Sequence, residues 1–120
     1  MSASAVRFMV SFAIRDGSHD AFERVARVMS AGSQKEPGTL AYQWYLSADR
    51  TRCRLFEAYV DADAVRAHLT GPVVQELVPK LLESGSVAGF EVYGDPGPEA
   101  SAILAGLGAA VFPAWHGFAR

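Results

Sequence analysis

The order in which two hydrophobic periods follow each other constrains this chain more than any other feature. Val6, Phe8, Val10, Phe12 and Ile14 alternate with Arg7, Met9, Ser11, Ala13 and Arg15, the period-two pattern of a strand with one strongly apolar face. Asp16 and Gly17 end it, and Ser18 or Asp20 suits the cap of a helix. In that helix Phe22, Val25, Ala26 and Met29 recur at helical spacing and build one apolar stripe. Gly32 and Pro37-Gly38 punctuate its end. Leu40, Tyr42, Trp44 and Leu46 restore the period of two, and Ala48-Asp49-Arg50-Thr51 reads as a hairpin turn. Arg52 to Val60 then reads as a third strand, with Leu55, Glu57 and Tyr59 on one face and Arg54, Phe56, Ala58 and Val60 on the other. Asp61 is placed to cap a helix from Ala62 to Leu69, which Gly71-Pro72 interrupts. Val74, Leu77, Val78, Leu81 and Leu82 form a second stripe, in which Pro79 should kink the helix or shift its ends. Val87 to Tyr93 makes a fourth strand. After the stop Asp95-Pro96-Gly97-Pro98, Glu99 to Leu107 suits a short extra helix followed by an irregular aromatic tail.

The order β-α-β-β-α-β is that of an α+β, ferredoxin-like fold, an antiparallel four-stranded sheet with its helices on one face. A chain of 120 residues, half of them hydrophobic, fits one domain that buries its own core. The division expected is a domain over 1–95 and a C-terminal extension over 96–120, packed on that domain or on a partner subunit. Large apolar groups fall on both faces of the strands: Phe8, Met9, Trp44, Tyr45, Leu55, Phe56, Phe90 and Val92. A sheet with two apolar faces calls for a partner surface, and a second copy of the chain, docked through the open sheet face as a homodimer, supplies one.

Several function classes are disfavoured. The net charge is −2, and the largest basic cluster, Arg50, Arg52 and Arg54, is a thin footprint for nucleic acid. No apolar run reaches the ~20 residues of a membrane helix, and Met1 to Ala5 has no signal pattern. The single cysteine, Cys53, forms no intrachain disulfide and fits a reducing compartment, so a cytoplasmic protein is expected. His19, His68 and His116 lie far apart with no close ligand pair, which speaks against a metal site. Gly85 to Gly89 lacks the lysine and spacing of a phosphate loop.

Glu36-Pro37-Gly38-Thr39-Leu40, then Leu55-Phe56-Glu57-Ala58-Tyr59, then Asp61-Ala62-Asp63-Ala64-Val65-Arg66-Ala67-His68-Leu69 form a series that resembles the antibiotic-biosynthesis monooxygenase (ABM) family over roughly residues 6 to 94. The resemblance implies a dimeric α+β barrel, with a cavity between the open sheet face and the helices of each subunit. Some members oxidise phenolic, anthrone-like or quinol substrates with dioxygen and carry no metal or flavin, so no cofactor is expected here. Others degrade haem or isomerise small sugar-like phosphates. The ligating histidine of the haem-degrading members falls at Val78, which cannot hold iron. The resemblance matches Glu57 to the family's strand glutamate and places His68 near the cavity or paired with that glutamate.

Two residues are candidates for the chemistry. His68 can act as acid, base or donor near neutral pH, or it caps its helix and bonds Glu57 for structural reasons. Glu57, a carboxylate in mid-strand, needs a partner; His68 and an arginine of the Arg52-Arg54 pair are the candidates. Tyr42, Trp44 and Tyr59 would wall a flat apolar pocket, or simply pack as core. Arg52 or Arg54 would stabilise charge on the substrate. The tail, Val111 to Phe118, could lid the pocket and bring His116 near. The leading expectation is a cofactor-independent monooxygenase acting with dioxygen on a small electron-rich aromatic. Its rivals are a non-catalytic dimeric domain that binds a small ligand and an isomerase of a small carbonyl compound.

Overall fold

The computed structural model describes residues 2–120; Met1 lies outside them. The strand β1 (Val6–Ile14) leads through Gly17, at φ 76°, into the helix α1 (His19–Gln34). A hairpin of β2 (Thr39–Leu46) and β3 (Arg52–Tyr59) follows, then α2 (Ala62–Thr70). A π-helical turn over Val73–Leu77 runs into the short α3 (Val78–Leu81), then come β4 (Gly85–Tyr93), α4 (Gly97–Gly106) and β5 (Ala110–Phe112). Asp61 caps α2, accepting from the Ala64 amide at 2.9 Å, whereas Ser18 stands at the cap of α1 without a side-chain bond. Pro79 leaves the chain helical. It sits in the first turn of α3, where its missing N–H costs no helical bond, and the wider π turn just before it takes up the change of register.

The sheet order is β2-β3-β1-β4-β5. Its first four strands are antiparallel, which is the ferredoxin-like arrangement. The fifth strand is an addition to the four expected. The segment expected as irregular tail begins with three residues that pair in parallel with β4. Helix α4 makes the crossover between them, the connection that parallel strands require. Three residues are too few to show a period of two, so the sequence carries no mark of this strand.

The helix-facing side of the sheet is the core. Val6, Phe8, Val10, Phe12, Cys53, Leu55, Tyr59 and Val92 meet Phe22, Met29, Val65, Leu69 and Leu81 from the helices. Helix α4 adds Ala100 and Leu104, both buried, and an ion pair of 3.3 Å from Glu99 to Arg66 of α2. Of the apolar residues that suggested two apolar faces, Phe8, Trp44, Leu55, Phe90 and Val92 pack against this core. Met9, Tyr45 and Phe56 occupy the outer face, where Met9 lies opposite Phe56. No helix among the described residues is long and apolar enough to cross a membrane.

The entry to β2 passes very close to α2. A Cβ on Gly38 would stand 2.5 Å from the Ala64 Cβ and 3.3 Å from Val60 Cγ1, and the Gly38 carbonyl accepts from the Val60 amide at 2.9 Å. Gly38→Ala is therefore expected to destabilise the fold by about 1–3 kcal/mol, the usual cost of overpacking. A urea melt checks this, and an unchanged midpoint would contradict the close approach.

Candidate active site

Register places the polar residues of the site. On the helix-facing side Phe8 of β1, Glu57 of β3 and Tyr42 of β2 lie in one row across three strands. His68 comes down on this row from the last turn of α2. Glu57 is 4% exposed and His68 2%, so neither carboxyl nor imidazole has water as its main partner. The Tyr59 hydroxyl donates a short hydrogen bond to Glu57 Oε1. His68 Nε2 lies 3.4 Å from the same oxygen.

The other ring nitrogen of His68 has a partner that sequence reasoning passed over. Glu36, in the connection between α1 and β2, places Oε1 2.8 Å from His68 Nδ1. The Thr39 hydroxyl donates to that same oxygen at 2.8 Å and steadies it. A carboxylate only accepts hydrogen bonds, so Nδ1 carries the hydrogen and the tautomer follows from the partner. Nε2 is left facing Glu57 and the space beside it. A carboxylate that orients an imidazole through Nδ1 is a familiar device for holding a proton-transfer group in place.

Burial is the main influence on Glu57 and pushes its carboxyl above the ordinary value of 4.5; the nearby His68 and the Tyr59 hydroxyl oppose this, and the charge of Glu36 adds to it. Burial likewise pushes the Tyr42 phenol far up, with Glu57 adding to the rise, and Tyr59 shifts in the same direction for the same reasons. Both phenols therefore stay protonated, as donors. A carboxyl drawn toward its neutral form, beside an imidazole of fixed tautomer, is a proton donor–acceptor pair.

This pair lies at the edge of a cavity of about 180 Å³ between the sheet and the helices. Its walls are Phe8, Val10 and Phe12 from β1, Leu55 from β3, Val87 and Phe90 from β4, Met29 from α1 and Leu69 from α2. Val74, Val78 and Leu82, from the π turn and α3, close the helix side. Tyr42, Glu57 and His68 are the polar members of the lining. A cavity of roughly 150 Å³ holds benzene, so there is room for a substituted ring. Val87 and Leu107 are both half-exposed lining residues, which puts the mouth between the start of β4 and the end of α4.

The structure brings together some of the expected site residues and separates others. His68, Glu57 and Tyr42 converge on the cavity. Tyr59 is wholly buried beneath it, against Phe8 and His68, with ring centroids 5.1 Å away from each. Trp44 shares the face of Tyr42 but sits further along β2. There it packs against Phe12 and Phe22, its indole N–H bonded to the Ser30 hydroxyl at 2.8 Å, and it does not line the cavity. Arg52 and Arg54 are exposed on the outer face, around a shallow hollow with Tyr45 and Leu46. They reach neither Glu57 nor the cavity. Arg50 belongs to the turn, at φ 64°, against His19 rather than to the strand. The tail does not lid the pocket: His116 lies on Trp115, which is 88% exposed. Leu107, from the extension, lines the cavity instead. Among the described residues no three His, Cys, Asp or Glu side chains are placed to hold a metal ion.

The raised Glu57 carboxyl gives a stability prediction with a definite sign. In the window between 4.5 and its elevated folded value the native state holds a proton that the unfolded state has lost, so stability is present below 4.5 and falls as pH rises through that window. Glu57→Gln keeps an acceptor for Tyr59 and removes the titration. The stability of the variant relative to the native protein should therefore rise with pH, measured as urea midpoints from pH 4 to 8. Parallel curves across that range would show that Glu57 is not perturbed.

The fold recurs among proteins of known structure. No curated protein sequence matches the chain. Among solved structures, MupZ from Pseudomonas fluorescens is similar over 97% of this chain and 94% of its own, at 26% identity and a TM-score of 0.82. Rv0793 from Mycobacterium tuberculosis matches 79% of this chain and 98% of its own, at 25% identity and a TM-score of 0.69. SnoaB from Streptomyces nogalater, a cofactor-independent oxygenase, shares the fold at 20% identity and a TM-score of 0.69, over 80% of this chain and 97% of its own. The family model described as antibiotic biosynthesis monooxygenase matches residues 5–80, a span that holds Glu36, Tyr42, Glu57 and His68 and more than half of the chain. The chain therefore belongs to the antibiotic biosynthesis monooxygenase family.

Proposed function

We propose that this protein is a cofactor-independent monooxygenase that oxidises a small electron-rich aromatic, quinol or anthrone-like, with dioxygen. The observation that carries the reading is the apolar cavity with His68 Nε2, Glu57 and Tyr42 on one edge and hydrocarbon elsewhere. The family membership and the fold shared with the oxygenase SnoaB support it. Chemistry on dioxygen without a cofactor needs a substrate that itself gives up an electron, and deprotonation makes an aromatic able to do so. For an anthrone-like methylene, His68 Nε2 takes the proton. The Tyr42 side chain lines the cavity beside the charge that develops. The anion passes one electron to dioxygen, and the two radicals combine into a carbon–oxygen bond of a peroxide. His68 returns its proton to the outer peroxide oxygen; the carbon then gives up its second proton as the O–O bond breaks, and that proton leaves with the hydroxide as water. One dioxygen and one methylene become one carbonyl and one water. Glu36 positions His68, and the apolar walls exclude water that would quench the anion.

We also propose that two copies pair through the outer sheet face. Met9 and Phe56 lie opposite each other at its middle, and Tyr45 is 56% exposed beside them, flanked by Arg54 across from Tyr45 and Glu91 across from Met9. An apolar centre with a charged rim is the anatomy of an interface.

Two outcomes are expected. Purified, metal-stripped protein should consume oxygen with members of a quinol and anthrone panel, and His68→Gln should lower the rate by about 10²–10⁴, the worth of a general base. No uptake across the panel, or full uptake in the variant, would overturn the reading and favour a ligand-binding domain. Sedimentation at micromolar concentration should give a dimer that Phe56→Asp shifts to monomer; a stable native monomer would contradict the pairing.

A further inference from the structure

We propose that the cleft behind Tyr42 is a second subsite, in which the Ser33 hydroxyl holds a neutral hydrogen-bonding arm, a carbonyl or hydroxyl, carried on the substrate ring. The inference rests on the cavity being an aromatic site. The cleft has a volume of about 240 Å³ and lies between α1 and β2, lined by Ser30, Ser33 and Gln34 on one side and Thr39, Ala41 and Tyr42 on the other. Tyr42 lines this cleft and the apolar cavity alike, so its side chain is the partition between them.

Ser33 marks the cleft as more than a surface hollow. The residue is completely buried, and its Oγ has no hydrogen-bond partner among the described residues. Buried hydroxyls in folded proteins are nearly always paired. One turn earlier, Ser30 is fully engaged: it donates to the Ala26 carbonyl at 2.9 Å and accepts from the Trp44 indole at 2.8 Å. Ser33 has no such engagement. The Tyr42 phenol lies within hydrogen-bonding reach, enough to oppose the rise that burial causes in its pKa, but no bond of normal geometry joins the two hydroxyls. A ligand group arriving past Tyr42 would find an unpaired donor and acceptor already desolvated.

The lining also limits the chemistry of that group. It contains no lysine, arginine or histidine, so nothing there balances a carboxylate or phosphate. Glu36, bonded to Thr39 at the rim, disfavours an anion further. A purely apolar arm would leave Ser33 unpaired, and a site built around a buried hydroxyl discriminates against a ligand that lacks its counterpart.

Calorimetric titration of the full chain with 2-naphthol and with 6-acetyl-2-naphthol tests this. The native protein should bind the acetyl compound about tenfold more tightly, the worth of one net hydrogen bond. Ser33→Ala should erase that preference, leave 2-naphthol binding unchanged, and raise the melting temperature by a few degrees, because an orphaned hydroxyl is removed. A merely structural serine would lower stability on removal and leave the preference intact. Equal binding of the two ligands by the native protein, or a preference that survives in Ser33→Ala, overturns the subsite alone. Failure of 2-naphthol to bind at all overturns the aromatic cavity, and the subsite with it.

Discussion

A carboxyl group in the middle of a central strand, turned toward the core, sets the terms for the rest of this structure. Glu57 lies where a hydrocarbon side chain would cost nothing, and a charge there is expensive unless it is met by donors. The chain meets it with the Tyr59 hydroxyl, which donates from its own strand, with burial that favours the neutral carboxyl, and with the His68 Nε2 set 3.4 Å from the same oxygen. His68 in turn needs a partner for its second nitrogen, which Glu36 supplies from the α1–β2 connection. Three segments distant in sequence are thereby tied to one point. The close approach of Gly38 to Ala64 allows Glu36 to reach that point.

Stability and the cavity draw on the same residues. Phe8, Val10, Phe12, Met29, Leu55 and Leu69 belong to the core and also wall the cavity. The π turn before Pro79 and the short α3 complete the lining with Val74, Val78 and Leu82. Irregular helix is common at such places, and here it shapes a wall. The extension adds Leu107 to the cavity through α4, anchored by the buried Leu104. This contribution lies beyond the residues that the family model matches.

Much of this was legible in the sequence, for physical reasons that also explain what was not. Periods of two and 3.6 fix which side chains share a face, so the order of strands and helices follows from pattern, whereas the place of His68 beside Glu57 was implied only by the family resemblance. Alternation also put Arg54 opposite Glu57, and the structure keeps both strand arginines on the outer face. Alternation assigns a face but not a position along the strand, which is why Trp44 shares a side with Tyr42 and yet packs against Phe12 and Phe22. Glu36 lies in a connection with no period, and its role depends on a contact thirty-two residues away. It was visible only as the first residue of a motif. Ser33 carried no signal at all, because an unpaired hydroxyl is a property of its surroundings.

Whether the carboxylate-held imidazole faces the ligand is read by heteronuclear NMR of the His68 ring nitrogens with and without saturating 2-naphthol. Nδ1 should be the protonated nitrogen in the free protein, held by Glu36, and the ligand should shift Nε2 while the Nδ1 hydrogen bond persists. An Nε2-protonated ring in the free protein, or ring resonances that the ligand leaves unmoved, would contradict it.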